Sequence, residues 1–195
     1  MPLPPLILAS ASPRRWELLR EHGYRFSVEP ADVAESAPRH LTPGEITLRN
    51  ARAKAHAVAA KHPDALVLGV DTEVVFEGEV FGKPADLDAA FAMVKRLNGR
   101  AHAVYSGVWL CHLRGRWDDG FFDISRVHFR TLTAAQIRAY HARIGPLDKA
   151  GAYAAQDDGG ELIARVEGSF TNVIGLPMEA LAKALCDFQF APRRR

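Results

Sequence analysis

Cysteine is scarce in this chain of 195 residues: there are two, Cys111 and Cys186. They lie far apart and match no metal-ligand spacing, and a secreted chain of this size would more often carry a disulfide framework. Free, partly buried thiols in a reducing compartment are expected. Excess charge is scarce too. Lys and Arg number 25 against 23 Asp and Glu, a net charge of +2, so no overall field demands nucleic acid or a membrane as partner. Arg193-Arg194-Arg195 supplies part of that charge and is expected to be a solvated tail rather than a nucleic-acid arm. No apolar run is long enough to span a bilayer. Met1-Pro2-Leu3-Pro4-Pro5 lacks the basic region and long apolar stretch of a signal peptide. A cytoplasmic location is expected by elimination. The eight histidines include no pair at zinc-type spacing. There is no Gly-x-Ser-x-Gly elbow and no Walker-type loop, which argues against a serine hydrolase or a P-loop enzyme. No internal repeat, low-complexity tract or interdomain linker is visible.

What is present is an alternation of strand and helix signals. Leu6-Ile7-Leu8-Ala9 is a short apolar run suited to a strand buried on both faces. Ser12 then stands as an N-cap and Pro13 as a first helical residue, with the helix closing near His22-Gly23. Arg25 to Val28 is expected as a short strand, and Glu29 to Leu41 as a loop. Thr42-Pro43-Gly44-Glu45 is a capping box opening an alanine-rich helix to about Lys61. Leu66 to Val70 is a second buried strand, expected to end at Asp71-Thr72. Val74 to Phe76 and Glu79 to Phe81 flank Glu77-Gly78 as a hairpin. Asp86 caps a helix to Leu97, closed by Asn98-Gly99. Ala101 to His112 and Gly120 to Arg130 are long strands joined at Arg114-Gly115-Arg116. Thr133 and Gln136 form a second capping box, opening a helix to about Ile144. Residues 145–160 are mostly irregular, Leu162 to Val166 is a strand, and Pro177 to Asp187 a last helix. The class is α/β with a mixed sheet, and one domain over residues 1–195 is expected.

Four places could carry chemistry. At Ser10-Ala11-Ser12-Pro13-Arg14-Arg15 a strand turns into a helix, whose unpaired N–H groups and dipole favour an anion. Two arginines in the first turn oppose that dipole by roughly 0.3–1 kcal/mol each, and a bound phosphate would reverse the cost. A capped surface helix with two solvated arginines fits the same residues. Asp71-Thr72 would sit at the carboxyl end of a buried strand, where open α/β sheets place ligand-binding groups. Asp71 there could bind a metal ion or take a proton from attacking water, or simply cap a turn. Lys83, between Gly82 and Pro84, sits on a stiff loop able to aim an ammonium at phosphate; a surface turn is the alternative, as a solvated lysine is for Lys54. Residues 148–156 lack strong periodicity and end on Gln156, whose carboxamide could donate to and accept from a base edge, or belong to an ordinary loop.

Taken in order, these segments resemble the Maf-like nucleotide pyrophosphatases. The resemblance rests on Ala9-Ser10-Ala11-Ser12-Pro13-Arg14-Arg15, Gly69-Val70-Asp71-Thr72, Gly82-Lys83-Pro84, Asp148-Lys149-Ala150-Gly151-Ala152-Tyr153 and Gly175-Leu176-Pro177. Each is weak alone; five in order over nearly the whole chain are strong. The resemblance implies a Maf/ITPase-like fold: a mixed, twisted central sheet flanked by helices, with two lobes and a cleft between them. It implies hydrolysis of a nucleoside triphosphate between its α and β phosphates, in the cytoplasm, with Mg²⁺ or Mn²⁺. By motif position Asp71 matches the proton acceptor. Ser12, Arg14, Arg15, Lys54 and Lys83 match the phosphate-binding residues, and Glu35 joins Asp71 as a candidate for metal or water. Arg14, Thr72 and Gln156 look like the branch acting on dTTP and UTP rather than on 7-methylguanosine triphosphate. Uracil and thymine differ by one methyl, which discriminates by only ~1–3 kcal/mol. Glu73 stands where the family more often has an apolar residue and is expected to be an exposed strand residue. Ala154-Ala155 replaces a more usual glycine and apolar residue, and Asp157-Asp158 adds negative charge beyond Gln156. Other readings are a nucleotide-binding regulator of cell division without turnover, or a nucleic-acid binder. The retention of Asp71, Glu35 and Lys83 together favours the enzyme over the first, and near-neutral charge speaks against the second. The implied partner is the nucleotide, with no nucleic acid and no membrane; oligomeric state, a homodimer included, is not fixed by the sequence.

Overall fold

The apolar runs become strands and the capped, alanine-bearing segments become helices. In a computed structural model, which describes residues 3–38 and 40–188, seven strands form one mixed sheet. They are β1 Leu6–Leu8, β2 Ser27–Val28, β3 Leu66–Phe76, β4 Glu79–Phe81, β5 Ala101–His112, β6 Trp117–Phe129 and β7 Ile163–Glu167. The strand order is β2-β1-β3-β5-β6-β7, with β4 added to β3. Strand β1 lies parallel to both β2 and β3, whereas β4 on β3 and β7 on β6 are antiparallel. The helices are α1 Pro13–Glu21, α2 Pro43–Ala59, α3 Leu87–Leu97, α4 Ala134–Ile144, α5 Phe170–Ile174 and α6 Met178–Asp187. The arginines of the C-terminal tail lie outside the described residues.

The helix starts follow their capping chemistry. Thr42 and Glu45 cap one another reciprocally, as do Thr133 and Gln136. The Asp86 carboxylate accepts from Ala89 N at 2.7 Å. The hairpin turn at Glu77-Gly78 has positive φ at both residues, the conformation that two-residue hairpins require.

Strands β3 and β6 differ most from expectation, and β2 covers only Ser27–Val28 of the expected Arg25 to Val28. Strand β3 does not stop at Asp71-Thr72; it runs on to Phe76, because Val74, Val75 and Phe76 keep pairing with β4. Strand β6 starts at Trp117, not Gly120. Gly120 sits inside the strand because the Trp109 ring covers it: a Cβ there would lie 2.3 Å from that ring. The short helix α5 and the two 3₁₀ turns, Pro146–Asp148 and Ala150–Ala152, are too brief to leave a periodic signal.

Chain contacts divide the molecule into two compact units. The first comprises residues 1–71, 106–123 and 175–195; the second, residues 72–105 and 124–174. In the first, Ile7 of β1, Ala9 just after it and Val67 of β3 pack with Ala55, Val58 and Ala59 of α2 and with Cys111. In the second, Val74, Phe76, Val104, Val127 and Phe129 from the sheet pack with Ala90, Val94 and Leu97 of α3 and with Ile137 and Tyr140 of α4. No helix among the described residues is long and apolar enough to cross a membrane. The thiols are free, Cys111 buried and Cys186 exposed.

Candidate functional site

Helix α2 approaches β3 closely because residue 69 is glycine. A Cβ there would lie 2.1 Å from Ala51 O and 2.7 Å from Ala55 N, so any other residue would push the helix away. That approach brings Asn50 and Lys54, one turn apart on α2, onto the strand at Asp71.

Asp71 is buried, 5 % exposed. Its Oδ1 accepts from Lys54 Nζ at 2.7 Å and its Oδ2 from Asn50 Nδ2 at 3.0 Å. Lys54 Nζ also donates to Glu35 Oε1 at 2.6 Å and to the Val70 carbonyl at 3.4 Å. Two carboxylates from different segments thus converge on one ammonium. Asn50 is fixed in turn, its Oδ1 accepting from Ser36 N at 3.0 Å, which ties the loop that carries Glu35 to α2. Carboxylate oxygens hold about four lone-pair sites between them, so Asp71 keeps acceptor capacity beyond these two bonds.

The Val70 carbonyl is shared with Arg15, whose Nη1 donates to it at 3.1 Å and to Ser10 Oγ at 2.9 Å. Arg15 Nε donates to Gly175 O at 3.0 Å. Burial draws the Arg15 guanidinium down to about 10, opposed by neighbouring Asp71 and reinforced by Arg14; it remains charged at neutral pH. Ser12 is the N-cap of α1, but its side chain makes no cap hydrogen bond. The expected cap position is therefore occupied without its usual bond, and Ser12 N instead donates to Ser10 Oγ at 3.3 Å. Arg14 sits half-buried in the first turn of α1.

The first unit thus assembles Arg15, Glu35, Lys54 and Asp71 into one connected set, with Ser12 and Arg14 at the start of α1. Asn50 and Ser10 complete it. Asn50 carried no mark in the sequence beyond its spacing of four from Lys54 in an alanine-rich helix.

The second unit holds Thr72, Lys83 and Gln156. Thr72 is half-buried on β3, and Lys83 and Gln156 are exposed. The Lys83 loop is pinned to the Asp148–Gln156 segment, since Gly151 N donates to Gly82 O at 3.1 Å. That segment is less loop-like than its composition suggests: residues 151–155 are buried. Tyr140 OH donates to Ala154 O and accepts from Ala154 N, at 3.2 and 3.1 Å. His141 Nε2 donates to Ala152 O at 3.0 Å. Helix α4 therefore fixes the backbone that ends at Gln156. The added charge of Asp158 is turned inward: its carboxylate accepts from the backbone N of Gly160, Leu162 and Ile163. Glu73 is half-buried rather than exposed, with Oε2 fully buried, because β3 continues through it. This unit also bears an open concavity of about 730 Å³ lined by Val75, Ala101, Ala103 and Ile124 with Arg100 and Arg126; none of the sequence-predicted site residues lines it.

Comparison with known proteins follows the same outline. The sequence model of the family described as "Maf-like protein" matches residues 5–188. A dTTP/UTP pyrophosphatase of Myxococcus xanthus is 48 % identical over 89 % of this chain and 87 % of its own length. One of Moorella thermoacetica is 48 % identical over 94 % of each chain. One of Carboxydothermus hydrogenoformans is 40 % identical over 95 % of this chain and 99 % of its own. The order of motifs, the mixed sheet and these matches agree, and the chain belongs to the family of Maf-like proteins.

Proposed function

We propose that this protein hydrolyses dTTP and UTP between the α and β phosphates, releasing the nucleoside monophosphate and pyrophosphate. The observation that carries the reading is the buried Asp71 carboxylate, held between Lys54 and Asn50 with Glu35 on the same ammonium. The names of the relatives, dTTP/UTP pyrophosphatases, support the substrate class. The family model runs through both units without a break, which supports treating residues 1–195 as one functional domain. Nucleotide substrates support a cytoplasmic location.

In this reading water attacks the α-phosphorus in line with the leaving pyrophosphate. Asp71 accepts the water's proton, and Asn50 and Lys54 hold its two oxygens so that a free lone pair faces the water. Lys54 and Arg14 offset charge on the phosphates. Arg15 directs three donors to Ser10, Val70 and Gly175, so it fixes the phosphate-binding turn while adding its charge to it. Ser12, its hydroxyl free of capping duty, and the first-turn N–H groups of α1 receive phosphate oxygens. In the second unit Lys83 offers a cation from the loop pinned to Gly151, and Thr72 and Gln156 offer polar groups suited to a pyrimidine edge.

The donor set also fits a hard divalent cation. Glu35 and Asp71 present only oxygens and already converge on one positive centre, and Mg²⁺ is commonly held by one or two carboxylates plus substrate phosphates. These two residues would hold Mg²⁺ or Mn²⁺, which would supply neutralising charge to phosphate oxygens. The test is Asp71→Asn. Loss of a general base costs about 10²–10⁴-fold, so turnover is expected to fall by that factor while nucleotide affinity changes little. Undiminished pyrophosphate release by the variant would remove Asp71 from the mechanism.

A further inference from the structure

Away from Asp71, the first unit gathers three side chains of metal-ligating type that sequence spacing did not connect. His56 lies on α2, Cys111 on β5 and Asp118 on β6. The His56 nitrogen, the Cys111 sulfur and an Asp118 carboxylate oxygen all lie within 4.8 Å of one another. Asp118 is the hub. Its Oδ1 accepts from His56 Nε2 at 2.7 Å and from Trp109 Nε1 at 2.6 Å, and its Oδ2 from Arg52 Nη2 at 3.2 Å. Cys111 is wholly buried, with its sulfur beside the same carboxylate.

We propose that His56, Cys111 and Asp118 form a binding site for a thiophilic divalent cation of the zinc class, separate from the carboxylate pair at Asp71. One sulfur, one imidazole nitrogen and one carboxylate oxygen are the donor types that zinc takes, with bonds of about 2.0–2.3 Å and a fourth position for water. A tetrahedral ion at those bond lengths spaces its ligand atoms roughly 3.3–3.7 Å apart. The three atoms need shift by only about an ångström to meet it. Binding replaces the hydrogen bond from His56 to Asp118 by three metal bonds. Binding releases the Cys111 thiol proton to solvent as the sulfur–metal bond forms; no electron is transferred. Charges balance closely: the thiolate and Asp118 offset the ion, and Arg52 retains its bond to Oδ2. Trp109 Nε1–H, donating to Asp118, orients the ligating carboxylate as second-layer donors do at metal sites. The consequence is structural. The ion ties α2 to β5 and β6 two residues beyond Lys54.

Cobalt reads this site directly. Chelator-stripped protein titrated with Co²⁺ is expected to develop thiolate-to-cobalt charge-transfer absorption saturating at about one ion per chain, displaced by Zn²⁺. The oxygen-only donors at Asp71 and Glu35 cannot give that band. Cys111→Ser should abolish it, Cys186→Ser should leave it intact, and His56→Gln should weaken cobalt binding about tenfold or more. Because Cys111 is buried, folding of its variant is checked by pyrophosphate release, which should persist. Independently of any variant, X-ray absorption on zinc-loaded parent protein should show one sulfur at about 2.3 Å. A zinc shell of nitrogen and oxygen only, the absence of a charge-transfer band, or a band that survives Cys111→Ser would overturn the proposal.

Discussion

At the residue scale the site turns on how few groups fix Asp71. Lys54 and Asn50 each take one of its oxygens, and Asn50 is itself held by Ser36 N. Asn50→Leu keeps the branched shape and removes both bonds. A hydrogen bond to a charged group is worth about 1.5–3 kcal/mol, so kcat should fall about 10- to 100-fold with KM little changed. A rise in KM at constant kcat would place Asn50 in substrate binding instead. Asp71 and Arg15 were marked by their places at a strand end and a helix start, whereas Glu35 and Lys54 were marked by the family resemblance. Asn50 was not legible, because an amide on a helix looks solvated until a neighbouring strand is known to cover it. His102 supplies a second residue-scale test. It is 3 % exposed, shares a hydrogen bond with Tyr153 OH at 2.9 Å and packs edge-on against Phe129. Burial, aided by His128, pulls its pKa down to about 3. A histidine whose folded pKa is depressed binds fewer protons folded than unfolded, so its stabilising neutrality is present above the ordinary value near 6.5 and is lost as pH falls toward 3. The loss is about 1.4 kcal/mol per pH unit, or roughly 2 kcal/mol between pH 6.5 and 5. His141, also lowered by burial, acts in the same direction. Urea unfolding of His102→Gln should therefore show a shallower acid decline than the parent; an unchanged slope would mean that His102 does not govern it.

At the scale of elements, the caps were the most legible feature. Thr42, Asp86 and Thr133 begin their helices where local chemistry says they should, since a cap is decided within four residues. Strand ends were less legible. Whether β3 stops at Asp71 or continues to Phe76 depends on β4 pairing alongside it, and the start of β6 depends on where Trp109 lies, neither of which is local. The contact that matters most for function is that of α2 on β3 at Gly69. Gly69→Ala places a methyl 2.1 Å from Ala51 O, a backbone atom that cannot turn aside. Overpacking of this kind costs about 1–3 kcal/mol. Chemical denaturation should show that loss, and pyrophosphate release should fall with it, because Asn50 and Lys54 ride on the displaced helix. A variant as stable and active as the parent would show that α2 can shift without disturbing Asp71.

At the scale of the whole molecule, the α/β class and the mixed sheet were legible from the alternation of apolar runs and capped helices. The resemblance implied two lobes, but where the units divide was not legible from the residues. The first unit is assembled from three separate stretches of chain and the second from two, and no composition shift marks a boundary that falls inside continuous strands. The chemistry was legible because its residues occur as ordered motifs, and membership of the Maf-like family follows from nearly the full length. In the proposed function base preference is assigned to Arg14, Thr72 and Gln156, and a single methyl separates thymine from uracil, worth only ~1–3 kcal/mol. Both pyrimidines should be accepted. The most direct measurement is pyrophosphate and monophosphate formation from dTTP, UTP, GTP and 7-methylguanosine triphosphate in the presence of Mg²⁺ or Mn²⁺. The expected products are dTMP or UMP with equimolar pyrophosphate, dTTP and UTP being turned over at comparable rates and the guanine nucleotides reacting little. Release of inorganic phosphate and a diphosphate, preference for a guanine nucleotide, or no turnover of any of the four would contradict the proposed function.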